Sequence, residues 1–130
     1  MDRRTPRLLL AASAAIFALG GIMHTVAYVA KASASITAAN VPPFLGAELK
    51  VLWLADSTTM LALALLFAFI AAKPASAASI VVVLLALIPA ATATLLYLFL
   101  GPFYPSHLLM VASVMAFVAG LLMSKRPASV

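Results

Sequence analysis

Four apolar runs, each of about twenty residues or more, divide this chain: about 8–30, 46–72, 77–100 and 105–124. Each matches a hydrocarbon layer of about 30 Å at about 1.5 Å of helix rise per residue. Within lipid, only helices and closed barrels satisfy every peptide group, and runs rich in alanine and leucine are helices. Composition excludes the soluble alternative. Charged residues make up 8% of the 130 and mean hydropathy is +1.21, whereas soluble domains carry about 25% charged residues. A soluble core of this size could not hide a sequence that is 66% hydrophobic. The expected fold class is therefore an all-α integral membrane protein. Four transmembrane helices form an up-down-up-down bundle, with residues 1–130 as one domain.

The breaks carry clear punctuation. Lys73-Pro74-Ala75-Ser76 closes the second run, Gly101-Pro102 closes the third, and Pro105-Ser106 opens the fourth. Links this short predict antiparallel neighbours for helices two and three, and for three and four. The first link, about 31–45, contains Asn40 and Pro42-Pro43. It reads as a longer outer loop that caps the bundle or lies among headgroups.

Basic residues set the orientation. Arg3, Arg4, Arg7, Lys73, Lys125 and Arg126 fall on one side of a four-span chain, and Lys31 and Lys50 on the other. The bias predicts both termini in the cytoplasm, as for a bacterial inner (plasma) membrane protein. The net charge of +5 is thus a topology signal rather than a nucleic-acid footprint. The start also has the outline of a leader, with a basic end, an apolar run and Lys31-Ala32-Ser33-Ala34. Its apolar run of about 23 residues, however, exceeds the 7–15 of leader cores. A leader would end near residue 34.

Little chemistry is available. There is no cysteine, and the chain has two histidines and three acids. Asp56, in a stretch reading VLWLADSTTM, costs roughly 2.5–3.5 kcal/mol at the centre of a membrane helix unless it finds a partner, water or an interface. Counted from the basic anchors, Asp56, His24 and His107 lie 17 or 18 residues along their helices. That places all three about 25–27 Å from those anchors, at one shared depth in the outer leaflet. Thr92 reaches nearly the same height, just above Pro89. Tyr28, Tyr97 and Tyr104 offer hydroxyls nearby, Glu48 lies higher, and Trp53 suits an interfacial belt.

Three uses of this cluster follow. In the first, Asp56 bonds a histidine on a neighbouring helix and pins the bundle of a structural or accessory protein. Ser57, Thr58 and Thr59 then bond back to their own helix. In the second, the cluster is an outer-leaflet pocket for a lipophilic ligand such as a quinone, a sterol-like molecule or a lipid. Asp56 would be base or acceptor, His24 or His107 the acid, and Tyr28, Glu48, Trp53, Thr92, Tyr97 and Tyr104 the surrounding contacts. In the third, His24 and His107 clamp a haem b, or join Asp56 or Glu48 around a divalent metal. No nucleophile motif, phosphate loop or cofactor fingerprint names a reaction. Small-residue faces on helices three (Ala90, Ala91, Ala93, Thr94) and four (Ala112, Ser113, Ala116, Ala119, Gly120) suit close packing, in a homo-oligomer or within a larger membrane complex. Membrane lipid is the expected surrounding, and nucleic acid is not an expected partner.

Overall fold

The computed structural model describes residues 4–124. They form helix α1 (Arg4–Ala27), a π-helical turn (Tyr28–Ala32), α2 (Ser33–Ala38), α3 (Pro43–Ala72), a 3₁₀ turn (Pro74–Ser76), α4 (Ser79–Leu100) and α5 (Tyr104–Ser124). No strand occurs among the described residues. Four helical segments are long and apolar enough to cross a membrane: Arg4–Ala38, Pro43–Ala72, Ser79–Leu100 and Tyr104–Ser124. The remaining basic residues Arg3, Lys125 and Arg126 lie outside the described residues.

The first connection is shorter than the sequence predicts. Residues 31–38 stay helical, so the expected loop at 31–45 shrinks to the few residues between Ala38 and Pro43. The physical reason is that Lys31-Ala-Ser-Ala-Ser-Ile-Thr-Ala contains no glycine or proline. Polarity ends the apolar run there, but nothing ends the helix. The stop comes at Asn40, whose φ of 51° is a left-handed conformation that asparagine tolerates at a helix C-terminus. Pro43 then opens α3 from the first-turn position, where its missing N–H leaves no bond unmade. Lys50 Nζ donates to Thr37 Oγ1 at 2.9 Å across the tip of this hairpin.

The order of helices in space is α3, α1, α5, α4. Contacts are extensive between α1 and α3, between α4 and α5, and between α1 and α5, whereas α3 and α4 barely touch. The expected pairing of helices two and three as packed neighbours is thus corrected. Their short link joins them only at their ends, because small residues draw other partners together. On α1 the buried residues Leu10, Ser13, Ala14, Phe17 and Gly21 follow helical spacing. On α5, Ala112, Ala116 and Ala119 are wholly buried. Small side chains let backbones approach, which is the main source of helix attraction where lipid is as apolar as leucine. α4 buries only Val82, Ala86, Pro89 and Ala93, a narrow stripe suited to an edge helix.

Two glycines mark the closest approaches. A Cβ on Gly21 would stand 2.9 Å from Leu61 Cγ and 3.2 Å from the Ser57 carbonyl; one on Gly120 would stand 2.8 Å from Val83 Cγ2 and 3.1 Å from the Val83 nitrogen. α1 and α3 run antiparallel, since Arg7 Nε donates to the Ala71 carbonyl while Trp53 Nε1 donates to the His24 carbonyl. α4 and α5 do likewise, with Gly120 beside Ser79 and Tyr97 bonded to His107.

Three buried serines bridge the three interfaces. Ser57 Oγ meets His24 between α1 and α3. Ser13 Oγ donates to the Ala112 carbonyl at 2.8 Å between α1 and α5. Ser113 Oγ donates to the Ala86 carbonyl between α5 and α4. A hydroxyl that donates to a carbonyl already held in its helix uses the second lone pair and leaves no backbone group unpaired. Among the described residues, every buried side-chain polar atom has a partner.

The helices differ in reach. The 35-residue segment Arg4–Ala38 and the 30 residues of α3 are about 52 and 45 Å long, against about 33 and 32 Å for α4 and α5. The first hairpin therefore projects beyond the second at the Asn40 end. Its tip carries Lys31, Glu48 and Lys50, charges that belong at headgroup level.

Candidate functional site

The polar candidates resolve into two clusters, one on each helix pair. The larger joins α1 to α3. The His24 imidazole stacks on the Trp53 indole with centroids 4.6 Å apart and planes 12° from parallel. Trp53 Nε1 donates to the His24 carbonyl at 3.0 Å, so one tryptophan holds both the ring and the backbone of one histidine. His24 Nδ1 lies 2.9 Å from Ser57 Oγ, and the Tyr28 ring sits 6.5 Å from Trp53. The spacing explains the assembly. Trp53 and Ser57 are four residues apart on one face of α3, and Tyr28, four residues after His24, opens the π-helical turn that continues α1.

Asp56 lies beside this cluster. Its Oδ2 is 3.8 Å from His24 Nε2, within ion-pair range but beyond a hydrogen bond. Two proton arrangements fit. Ser57 can donate to the Trp53 carbonyl, 3.2 Å away, while Nδ1–H donates to Ser57. Alternatively, Ser57 donates to Nδ1 and Nε2–H faces Asp56. Both side chains of the pair are about a third exposed, at 29% and 36%. Pairs this open are worth about 0–1 kcal/mol. Asp56→Asn is accordingly expected to change unfolding free energy by less than about 0.5 kcal/mol, measured by detergent-to-SDS titration. A loss several times larger would show a tighter pairing.

The smaller cluster joins α4 to α5. Tyr97 Oη lies 2.8 Å from His107 Nδ1, with ring centroids 5.4 Å apart. A phenol is the natural donor to a neutral imidazole nitrogen.

The shared depth of the two histidines does not hold. Ser13 contacts Ala112 between α1 and α5. His24 lies eleven residues from Ser13 and His107 five from Ala112, or about 16 and 8 Å from that contact at about 1.5 Å per residue. Counting from basic anchors fails because it assumes level anchors: Ser13 is six residues from Arg7, whereas the Ala112 that it meets is thirteen from Lys125. Among the described residues, no hydrogen bond, ion pair or ring contact joins His107 to His24 or Asp56. Nor does any group of three metal-ligating side chains come together, so a metal centre built from both histidines with Asp56 or Glu48 is not assembled. Each histidine has its Nδ1 engaged within its own helix pair.

The other candidates are placed apart. Glu48 is exposed on the projecting part of α3, and Tyr104 is 73% exposed at the start of α5. Thr92 bonds back to the Ile88 carbonyl of its own helix, as do Thr58 and Thr59 to Ala55. Sequence reasoning missed Ser13 and the bridging role of Arg7. A single serine in an alanine-rich run gives no hint of the helix it faces. A groove of about 900 Å³ lies between α1 and α3 at the Arg7 end, and none of the polar candidates lines it.

The geometry defines a four-helix apolar assembly compatible with a small membrane protein. No family model matches the sequence, and comparison with curated proteins and solved structures finds no match.

Proposed function

We propose that the chain is a small integral membrane protein with a structural or accessory role, its polar clusters serving as clasps between helices. One observation carries this. Stack, indole bond and serine bridge at His24, Trp53 and Ser57 all run from α1 to α3 within about one turn, and their atoms are directed at each other rather than at a cavity. The chain forms one domain that crosses a bacterial inner membrane up-down-up-down with both termini cytoplasmic. Arg7 bonded to Ala71 puts Arg4, Arg7 and Lys73 at one end, opposite Lys31 and Lys50, which supports that orientation. The small-residue face of α5 is used inside the bundle, where Ala112, Ser113, Ala116, Ala119 and Gly120 are buried; a second copy or a larger membrane complex would meet Ala91 and Thr94 on the outer side of α4 instead.

A second reading has one observation in its favour. Asp56, about a third exposed, makes no hydrogen bond among the described residues, so its carboxylate retains acceptor capacity for a lipophilic ligand in the outer leaflet. Native mass spectrometry of protein released in mild detergent separates the two. The accessory role predicts that Asp56→Ala and His24→Ala leave the bound masses unchanged. An adduct lost in Asp56→Ala would establish the ligand site, and a haem mass lost in His24→Ala would establish a cofactor.

Orientation has its own test, made simple by the absence of cysteine. In intact cells a membrane-impermeant maleimide is expected to label Ala39→Cys, at the exposed hairpin tip, and not Ala75→Cys, in the second link. The reverse pattern would invert the topology.

A further inference from the structure

The groove between α1 and α3 at the Arg7 end is a feature that the helix clasps leave unexplained. It exists because its walls are alanine. Ala11 and Ala15 on α1 face Ala64 and Ala68 on α3, so two helices in contact through Phe17, Phe67 and Gly21 leave an unfilled channel beside that contact. From Arg4 to Ala18 it runs fourteen residues, about 21 Å, more than the roughly 15 Å of one leaflet's hydrocarbon. Its volume of about 900 Å³ is near the top of the range for small-molecule sites.

One end of this channel is chemically distinct. Arg4 and Arg7 line it. Arg7 is held in place, because its Nε donates at 2.9 Å to Ala71, a carbonyl in the last turn of α3 that has no helical partner. The bond uses one of five guanidinium donors and fixes the plane of the rest at the mouth of the groove. Guanidinium groups match phosphate oxygens in fork geometry. A long apolar slot that ends in two arginines is complementary to one molecule abundant in its surroundings.

We propose that this groove binds an anionic phospholipid, one acyl chain lying along the alanine walls and the phosphate seated on Arg4 and Arg7. The charge at the mouth selects the headgroup, and the alanine walls accept the chain. With the orientation proposed above, the lipid belongs to the cytoplasmic leaflet, where anionic lipids are concentrated. That leaflet assignment rests on the topology; the headgroup preference does not. A second copy packing its own helix into the groove is the competing occupant, and the paired arginines argue against it by placing like charges together.

The test is native mass spectrometry of the full chain in detergent with dioleoyl phosphatidylglycerol, the matching phosphatidylcholine or inorganic phosphate. The expected result is one phosphatidylglycerol retained per chain, preferred over phosphatidylcholine by about tenfold, and no retention of inorganic phosphate. Arg4→Gln with Arg7→Gln should bring the two lipids to near-equal retention. Ala15→Leu with Ala68→Leu should release both, with helical circular dichroism unchanged, and so keeps the test decisive if loss of the Arg7 bond loosens the hairpin. Equal retention of the two lipids by the unaltered chain overturns the proposal. So does retention indifferent to the alanine changes, or a dimer that those changes dissolve. Retained inorganic phosphate would show an anion site without a lipid. Maleimide labelling fails or succeeds independently of these masses, so an error in topology is separable from an error here.

Discussion

Replacing Gly120 with leucine is expected to destabilise the protein by about 3 kcal/mol, at the upper end of the cost of overpacking. The Cβ alone would stand 2.8 Å from Val83 Cγ2, 3.1 Å from the Val83 nitrogen and 3.2 Å from the Ser79 carbonyl. Two of those three atoms are backbone of α4 and cannot swing aside as a side-chain tip would. α4 is an edge helix that buries little beyond this seam with α5, and no packed contact with α3 holds it in reserve. The clash should therefore separate α4 from its partner rather than be absorbed. Gly46→Ala is the control. Its Cβ would meet only Val41 Cγ2 at 3.5 Å, an ordinary contact, and the change should fall within about 0.5 kcal/mol of neutral. Unfolding from mild detergent into SDS, followed by circular dichroism, measures both. A Gly120→Leu protein as stable as the parent would mean that α4 and α5 are not packed at this distance.

The second large effect is expected at Trp53. Trp53→Ala removes the stack on His24, worth about 0.5–1.5 kcal/mol. It also removes the indole bond to the His24 carbonyl, which by analogy with other membrane helices is worth about 0.6 kcal/mol, and the contact with Tyr28. The expected sum is about 2 kcal/mol. Trp53→Phe keeps an aromatic face and loses the donor, so it should cost about 1 kcal/mol or less. If the two variants were equally destabilised, the stack would contribute nothing and the hydrogen bond alone would hold the helices.

The helices themselves were legible in the sequence, because lipid demands about twenty apolar residues per span and the chain supplies four such runs. The turn from α4 to α5 was legible too, since Gly101-Pro102 and Pro105 mark it. The first hairpin was not. Residues 31–38 are polar enough to leave the hydrocarbon yet carry no helix breaker, and a hydropathy pattern cannot distinguish a helix that emerges from the membrane from a loop. The matching of His24 with His107 in depth is a separate error, because counting from basic anchors assumes that they are level: Ser13, which meets Ala112, is six residues from Arg7, whereas Ala112 is thirteen from Lys125.

Neighbour relations were illegible for a different reason. A short link fixes which ends are close, whereas packing is decided by small residues such as Gly21, Ala112 and Gly120, whose partners lie on other helices. His24 and Asp56 could be matched because both are rare and costly in a membrane. Ser57 was readable only as bonding to its own helix. The structure shows that it does this at Trp53 and also reaches His24. Ser13, alone among alanines, carried no signal at all.

A clasp requires that His24 and Trp53 be coupled to each other across α1 and α3. A double-mutant cycle tests it most directly, comparing the unfolding free energies of the parent, His24→Ala, Trp53→Ala and the double variant in one detergent. The expected coupling is about 1 kcal/mol, the size of a stacked aromatic pair. Strictly additive losses, with coupling indistinguishable from zero, would contradict it.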